Sequence, residues 1–225
     1  PCMKTLIVGG GAIGTSIAWH LAERGAGEVV LLEQDRLGAG TTWHSAGNIT
    51  WRPLPDQDAP VLYAFEAIDR LERAGFATGW LKTGRLFFAA SEAFKNKLAA
   101  FDTVARERGL PARWLDGKEA TALNPLLDPS RIDAIWLNPL SGRVNPADLT
   151  AAYAAAARRA GASIREGIEV RAISARGGRV AGVETNQGFI EADAVVVAAG
   201  LWSRSILRSV GAALAKWPCE HFYVI

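Results

Sequence analysis

Residues 4–14 read KTLIVGGGAIG, and this stretch decides the fold. The apolar run at 4–8 predicts a strand, the glycines after it predict a tight turn, and apolar residues at helical spacing predict a helix over 12–24. The four residues 29–32 are all apolar, which is typical of a parallel strand covered by helices on both faces. The chain therefore opens with a β-α-β unit.

Three glycines of this turn, Gly9, Gly11 and Gly14, fit the spacing G-x-G-x-x-G. Gly9 permits the sharp turn, Gly11 lets the backbone approach a pyrophosphate, and Gly14 lets the helix lie close to the sheet. Glu33 follows Gly9 by 24 residues, near the offset of about 20 at which a carboxylate binds an adenosine ribose. The pattern predicts a dinucleotide site and disfavours NADP, while FAD and NAD both stay open because both carry an ADP moiety.

The later part of the chain again contains predicted strands and helices typical of a nucleotide-binding domain. A capped, alanine-rich helix is predicted over 145–160, and three short strands separated by hairpin-type turns predict a β-meander over 168–191. A second fully apolar strand is predicted at 194–198, followed by a short helix over 201–210.

Between these parts the β-α-β rhythm is broken, with helices predicted over 59–74 and 91–108 around a strand at 85–88. The predicted class is α/β, a Rossmann-like nucleotide-binding domain with a β-meander plus the start of an α+β substrate domain. The predicted nucleotide domain comprises 1–52 and 141–210, and the partial substrate domain comprises 53–140 and 211–225.

Composition narrows the classes of partner. The net charge is +2 with acids and bases interspersed, which gives no reason to expect a nucleic acid or an anionic membrane. Cys2 and Cys219 are the two cysteines, so neither a disulfide framework nor a metal-ligand spacing is present. No apolar stretch approaches the roughly 20 residues of a membrane-spanning helix. These features predict a cytoplasmic protein that acts on a small molecule.

Two further segments bear on the cofactor. The chain reads GTTWHSAG at 40–47 and DAVVVAAGLW at 193–202. Together with the opening glycines, these segments resemble the D-amino-acid-oxidase-like flavoproteins, most closely dimethylglycine and sarcosine dehydrogenases, over nearly the whole chain. The resemblance implies FAD as the cofactor.

The same resemblance implies roles for single residues. His44 would be linked covalently to the 8α-methyl of FAD, with Thr42 and Trp43 beside the isoalloxazine; the alternative is an ordinary loop histidine. His221 would lie at the active site as general base or substrate orienter; the alternative is a histidine satisfied within the core. The predicted cofactor contacts are Gly9, Gly11, Ala12, Ile13, Gly14, Glu33, Gln34, Thr41, Thr42, Trp43, His44, Val170, Ala199 and Gly200, with no metal ligand.

The function implied is FAD-dependent oxidation of a secondary or tertiary amine, above all oxidative demethylation of sarcosine or dimethylglycine. Oxygen or an electron-transfer flavoprotein would accept the electrons, and Arg52 and Arg85 are candidates for binding a substrate carboxylate. One alternative is a glycine or D-amino-acid oxidase with non-covalent FAD. Another is a non-catalytic, truncated nucleotide-binding fragment, since the chain stops inside the strand-like run 222–224.

Overall fold

The structure, a computed structural model, describes residues 2–52 and 59–220 of the chain. These residues form two compact units. The first unit takes its described residues from 1–45, 74–78 and 146–225, and the second takes them from 46–73 and 79–145. The unit boundaries at 45 and 146 lie inside the predicted limits of 52 and 141, but the described residues 211–220, predicted with the substrate part, belong to the first unit. The assignment of the two parts to FAD and substrate stays a prediction.

The described residues form both strands and helices. In chain order they are β1 (Lys4–Val8), α1 (Ala12–Glu23), β2 (Glu28–Leu32), β3 (Asn48–Ile49), α2 (Ala59–Arg73), β4 (Arg85–Ala89), α3 (Glu92–Glu107), β5 (Arg113–Leu115), α4 (Gly117–Leu123), β6 (Ala134–Asn138), β7 (Gly142–Arg143), α5 (Pro146–Arg159), β8 (Ser163–Arg165), β9 (Val170–Arg176), β10 (Arg179–Thr185), β11 (Gly188–Glu191), β12 (Ala194–Val197) and α6 (Ser203–Arg208). Short 3₁₀ turns lie at Pro129–Arg131 and Gly200–Trp202.

The first unit is organised around a parallel sheet with the strand order β12-β1-β2-β8. Val8 is in register with Leu32 on one side and with Val197 on the other, and Leu32 is in register with Arg165. Because all four strands run in the same direction, their carboxyl ends meet at one edge of the sheet. Ligands of α/β sheets bind outside this edge.

One face of the parallel sheet is covered by the antiparallel meander β11-β10-β9. Leu6 and Leu32 of the sheet share a buried core with Ile173 and Val183 of the meander. The two long helices of the unit, α1 and α5, pack against each other, with the rings of Trp19 and Tyr153 5.6 Å apart. The predicted α/β class and the predicted meander are confirmed.

In α5, the side chains buried towards the interior are mainly alanines. Small side chains let two helix backbones approach closely, so the alanine-rich composition of this helix follows from its packing rather than from helix propensity alone.

The second unit contains the antiparallel sheet β4-β6-β5, the two-stranded sheet β3-β7 and three helices. Trp136 on the central strand β6 is fully buried, and its indole N–H donates to Asp102 on α3 at 3.0 Å. Trp51 is fully buried as well. Both tryptophans belong to the core of this unit, and the α+β character predicted for the middle of the chain is confirmed.

Helix α4 begins with a capping box in which Asp116 accepts from the Glu119 N–H and Glu119 accepts from the Asp116 N–H. That backbone hydrogen bond, and then the hydrogen bond from Arg113, lower the pKa of the Glu119 carboxyl. Within residues 2–52 and 59–220, no helix has the length and apolarity needed to cross a membrane.

Candidate cofactor site

The carboxyl edge of the parallel sheet brings the glycine turn against the end of β12. Gly9 has a positive φ of 110°, and a β-carbon there would lie 2.5 Å from the carbonyl oxygen of Ala198. A β-carbon on Gly14 would overlap the carbonyl oxygen of Gly9. Both glycines are therefore required by backbone contacts within the protein, with the turn touching the segment that continues into Ala199 and Gly200.

Gly11 differs from these two glycines. It is the extended N-cap residue of α1 and makes no side-chain cap, and a β-carbon there would meet the Thr42 hydroxyl oxygen at 3.0 Å. The nearest atom here is a side-chain oxygen and not a backbone carbonyl, and the motif requires close approach of a phosphate at this position.

The amides at the start of α1 are oriented as an anion site requires. The first intrahelical hydrogen bond runs from the Thr15 N–H to the Gly11 carbonyl at 3.0 Å, so the amides of Ala12, Ile13 and Gly14 have no acceptor within the helix. The Ala12 N–H donates to the Thr42 hydroxyl at 3.1 Å. These donors and the helix dipole favour a diphosphate here.

Glu33 lies beside the same turn and holds it. One carboxylate oxygen accepts from the Gly10 N–H at 2.6 Å, and the other accepts from the Asp35 N–H at 3.0 Å. Each carboxylate oxygen has further acceptor capacity, so a ribose hydroxyl can bind without displacing the backbone donors. The neighbouring Gln34 is exposed.

The segment 34–45, which we call the post-β2 loop, is a succession of turns. In its second half, the Trp43 N–H donates to the Gly38 carbonyl at 3.0 Å, and the His44 N–H donates to the Thr41 carbonyl at 3.2 Å. His44 and Thr41 are exposed, and Trp43 exposes 64% of its surface. The imidazole of His44 is accordingly accessible to a bound molecule.

Large apolar side chains near this edge stay exposed. Ile13 at the start of α1 exposes 71% of its surface, and Leu201 and Trp202 after β12 expose about half of theirs. Gly40 of the post-β2 loop approaches the Trp202 ring, which a β-carbon on Gly40 would meet at 3.7 Å. Exposed apolar groups around a polar anion site fit a ligand that combines a charged part with an aromatic ring system.

Other predicted residues are placed differently. The Val170 side chain is buried in the core between sheet and meander. Arg85 donates to the Thr50 hydroxyl at 2.7 Å and lies over the Phe87 ring, so its guanidinium already has partners in the second unit. Arg52 is exposed. His221 lies outside the described residues, and its predicted role stays a prediction.

Sequence reasoning missed two contributors to this edge, Gly10 and Glu166. The run of three glycines was a signal for Gly10, because a β-carbon there would lie 2.9 Å from the Glu33 β-carbon. Glu166 follows β8 directly, and recognising β8 as a parallel strand would have placed it at the same edge as Glu33.

The FAD dependent oxidoreductase family matches residues 4–225 of the chain. The chain belongs to this family. The family resemblance stated from the sequence is thereby confirmed, and the family's cofactor is FAD. The residues at the sheet edge fit that cofactor: free first-turn amides for a diphosphate, a carboxylate for a ribose, and exposed apolar side chains for a ring system.

Two curated proteins are similar in sequence to almost the whole chain. The chain is 34% identical over 224 residues to 4-methylaminobutanoate oxidase (formaldehyde-forming) of Paenarthrobacter nicotinovorans, covering 99% of the chain and 27% of that protein. It is 33% identical over 228 residues to mitochondrial dimethylglycine dehydrogenase of Homo sapiens, covering 99% of the chain and 26% of that protein. The chain thus spans about a quarter of the length of these curated relatives.

Among solved structures, the crystal structure of glycine oxidase from Geobacillus kaustophilus superposes with a TM-score of 0.78 at 30% identity. The match covers 95% of this chain and 60% of that chain. This likeness supports the family fold independently of the curated sequences.

Proposed function

We propose that the protein oxidises a secondary or tertiary amine with FAD, by oxidative demethylation of sarcosine or dimethylglycine. The observation that carries this proposal is the sheet edge at which the glycine turn, Glu33 and the exposed His44 loop come together. The names of two curated relatives specify N-methylated amino acids, 4-methylaminobutanoate and dimethylglycine, which supports an N-methyl group on the substrate.

Different residues of the sheet edge would bind different parts of the cofactor. The amides of Ile13 and Gly14 would donate to the diphosphate, and Glu33 would accept from the ribose hydroxyls. The post-β2 loop would lie along the FAD towards its ring system, with His44 as the site of a covalent bond to the 8α-methyl. Ala199 and Gly200 would approach the cofactor through backbone atoms.

When bound, FAD would supply a two-electron oxidation of the N-methyl carbon, and water would hydrolyse the resulting iminium to formaldehyde and the demethylated amine. The chain's contribution is to bind and orient. His221 is proposed as the residue that orients the amine or accepts its proton. The reoxidant is proposed to be oxygen or an electron-transfer flavoprotein.

Intact mass after reconstitution with FAD tests the cofactor and the linkage together. We expect the purified full-length protein to gain the mass of one FAD after denaturation, and His44→Ala to lose this adduct. His20→Ala is the matched control, because His20 bonds the Ser16 carbonyl within α1 and should leave the adduct intact.

An adduct that persists in His44→Ala would refute His44 as the linkage site. A wild-type protein that binds no FAD would refute the proposed function itself. Formaldehyde release from sarcosine or dimethylglycine, measured with an artificial electron acceptor, tests the reaction class separately.

A second candidate function is a glycine or D-amino-acid oxidase with non-covalent FAD, and the likeness to the solved glycine oxidase favours it. FAD released by acid precipitation, together with turnover of glycine but not of sarcosine or dimethylglycine, would select this candidate.

A further inference from the structure

We propose that Glu166 is a positioning residue for the dinucleotide site, because its carboxylate holds the post-β2 loop against the glycine turn. The proposal rests on the proposed function, since it concerns the same FAD site. Glu166 is exposed and has no role in any of the motifs that identify this site.

The position of Glu166 follows from the sheet. β8 runs parallel to β2, and Leu32 is in register with Arg165, so Glu166 emerges at the carboxyl edge beside the residues that follow β2. Its Oε1 accepts a hydrogen bond from the Leu37 N–H at 2.7 Å. A short hydrogen bond to a carboxylate is charge-assisted and stronger than one between neutral groups.

Backbone contacts bring the two segments together up to this point. The Glu33 N–H donates to Arg165, the Ile168 N–H donates to Glu33 at 2.8 Å, and the Gly167 N–H donates to Asp35 at 3.2 Å. The Glu166 side chain extends this series by two residues, to Leu37. The start of the post-β2 loop is therefore held by β8 and the segment that follows it.

Leu37 and Gly38 connect the Glu166 contact to the glycine turn. A β-carbon on Gly10 would lie 2.6 Å from the Leu37 side chain, so Leu37 packs directly on the turn. The Gly38 N–H donates to the Gly10 carbonyl at 3.0 Å, and the Gly10 N–H donates to Glu33. The Gly10 peptide is thus held on one side by Glu33 and on the other by Gly38, the neighbour of the Leu37 residue that Glu166 contacts.

Two acidic residues at the same sheet edge therefore have different proposed roles. Glu33 faces the turn and is proposed to bind the ribose, whereas Glu166 acts through Leu37 and touches neither cofactor nor substrate. Displacing Leu37 should widen the turn and misalign the first-turn amides of α1, which reduces FAD affinity because those amides must point at the diphosphate.

FAD titration of the full-length protein tests this role, in a His44→Ala background so that binding is reversible. We expect Glu166→Ala to weaken FAD binding about tenfold, the effect of losing one charge-assisted hydrogen bond. Glu166→Gln keeps an acceptor and should bind within about threefold of the parent. Glu169→Ala is the matched control, since Glu169 is exposed nearby and pairs with Arg171.

Hydrogen exchange of the apo-protein supplies a local readout. Glu166→Ala should raise exchange in peptides that cover the post-β2 loop and leave the hairpin at 185–188 unchanged. Unaltered FAD affinity in Glu166→Ala would overturn the inference alone. Equal weakening by Ala and Gln would also overturn it, because the acceptor would then not matter. A parent that binds no FAD would overturn the proposed function, and the positioning role with it.

Discussion

A β-carbon on Gly9 or Gly14 would meet backbone atoms of the protein, whereas a β-carbon on Gly11 would meet only a side-chain atom, the Thr42 hydroxyl oxygen. The motif predicts different roles for the three: the contacts of Gly9 and Gly14 agree with a requirement of the fold, and a requirement of the ligand stays the prediction for Gly11. Ile13, two residues after Gly11, exposes 71% of its surface, so the start of α1 is accessible to a ligand.

Alanine substitution should distinguish the two kinds of glycine. Gly14→Ala should lower the free energy of unfolding by about 3 kcal/mol, since its β-carbon overlaps a carbonyl oxygen that cannot move independently of the turn. Gly11→Ala should leave the apo-protein nearly as stable while weakening FAD binding. Chemical denaturation without FAD and FAD titration measure the two effects.

The matched control is Gly161→Ala, at a glycine with nothing within 4 Å of its added β-carbon but with a positive φ of 98°. It should cost stability through backbone strain alone and leave FAD affinity unchanged. Equal loss of apo-protein stability in Gly11→Ala and Gly14→Ala would contradict the distinction.

At the scale of elements, what could be predicted from the sequence depended on how strand residues are buried. The strands β1, β2 and β12 are apolar on both faces and were predicted correctly. β8 has three residues of which only Ile164 is apolar, and it exists because β2 offers it a pairing partner. No local pattern contains that information, so Glu166 could not be placed at the site.

The centre of the second unit was missed for a similar reason. β6 carries the fully buried Trp136 and is paired on both sides, yet its five residues lie between a 3₁₀ turn and a short loop without clear periodicity. The glycine spacing and the family resemblance name site positions directly, and the roles of those residues towards FAD stay predictions. The contacts that hold those positions, such as Glu33 with Gly10, are long-range and visible only in the structure.

Packing between α1 and α5 gives a prediction at this scale. Ala154 in α5 is fully buried, so Ala154→Leu should destabilise the protein by about 1–3 kcal/mol through overpacking. Ala151 lies on the same helix and is exposed, and Ala151→Leu should be nearly neutral. Urea denaturation measures the free energy of unfolding of both variants. Similar losses of stability in both would show that α5 does not tolerate leucine on either face, which would contradict overpacking as the cause.

At the scale of the molecule, the two units alternate along the chain, and the predicted FAD contacts at 9–14, 33–44 and 199–200 all belong to the first. A ligand bound to these residues stabilises the folded state by about 2.7 kcal/mol at a concentration 100 times its Kd. Family membership was predictable because the residues that identify it lie in short, contiguous segments at both ends of this unit.

Hydrogen exchange with and without FAD should map this division. We expect FAD to protect peptides covering the glycine turn, the post-β2 loop and the segment after β12. Peptides of the hairpin at Gly177–Gly178 should be unaffected, because that turn lies at the far end of the meander strands and contacts nothing within 4 Å of either glycine β-carbon position. Protection confined to the second unit would contradict the assignment of the site.

The central position of β1 has a consequence for biosynthesis. This strand is translated before the other strands of its sheet, and its partner β12 follows about 190 residues later. At about 5–20 residues per second, one side of β1 waits roughly 10–40 s for its hydrogen-bond partner. During that interval a newly made apolar strand edge is open to wrong pairing, so a nascent-chain chaperone would act most usefully on the segment 4–32, which contains β1 and β2.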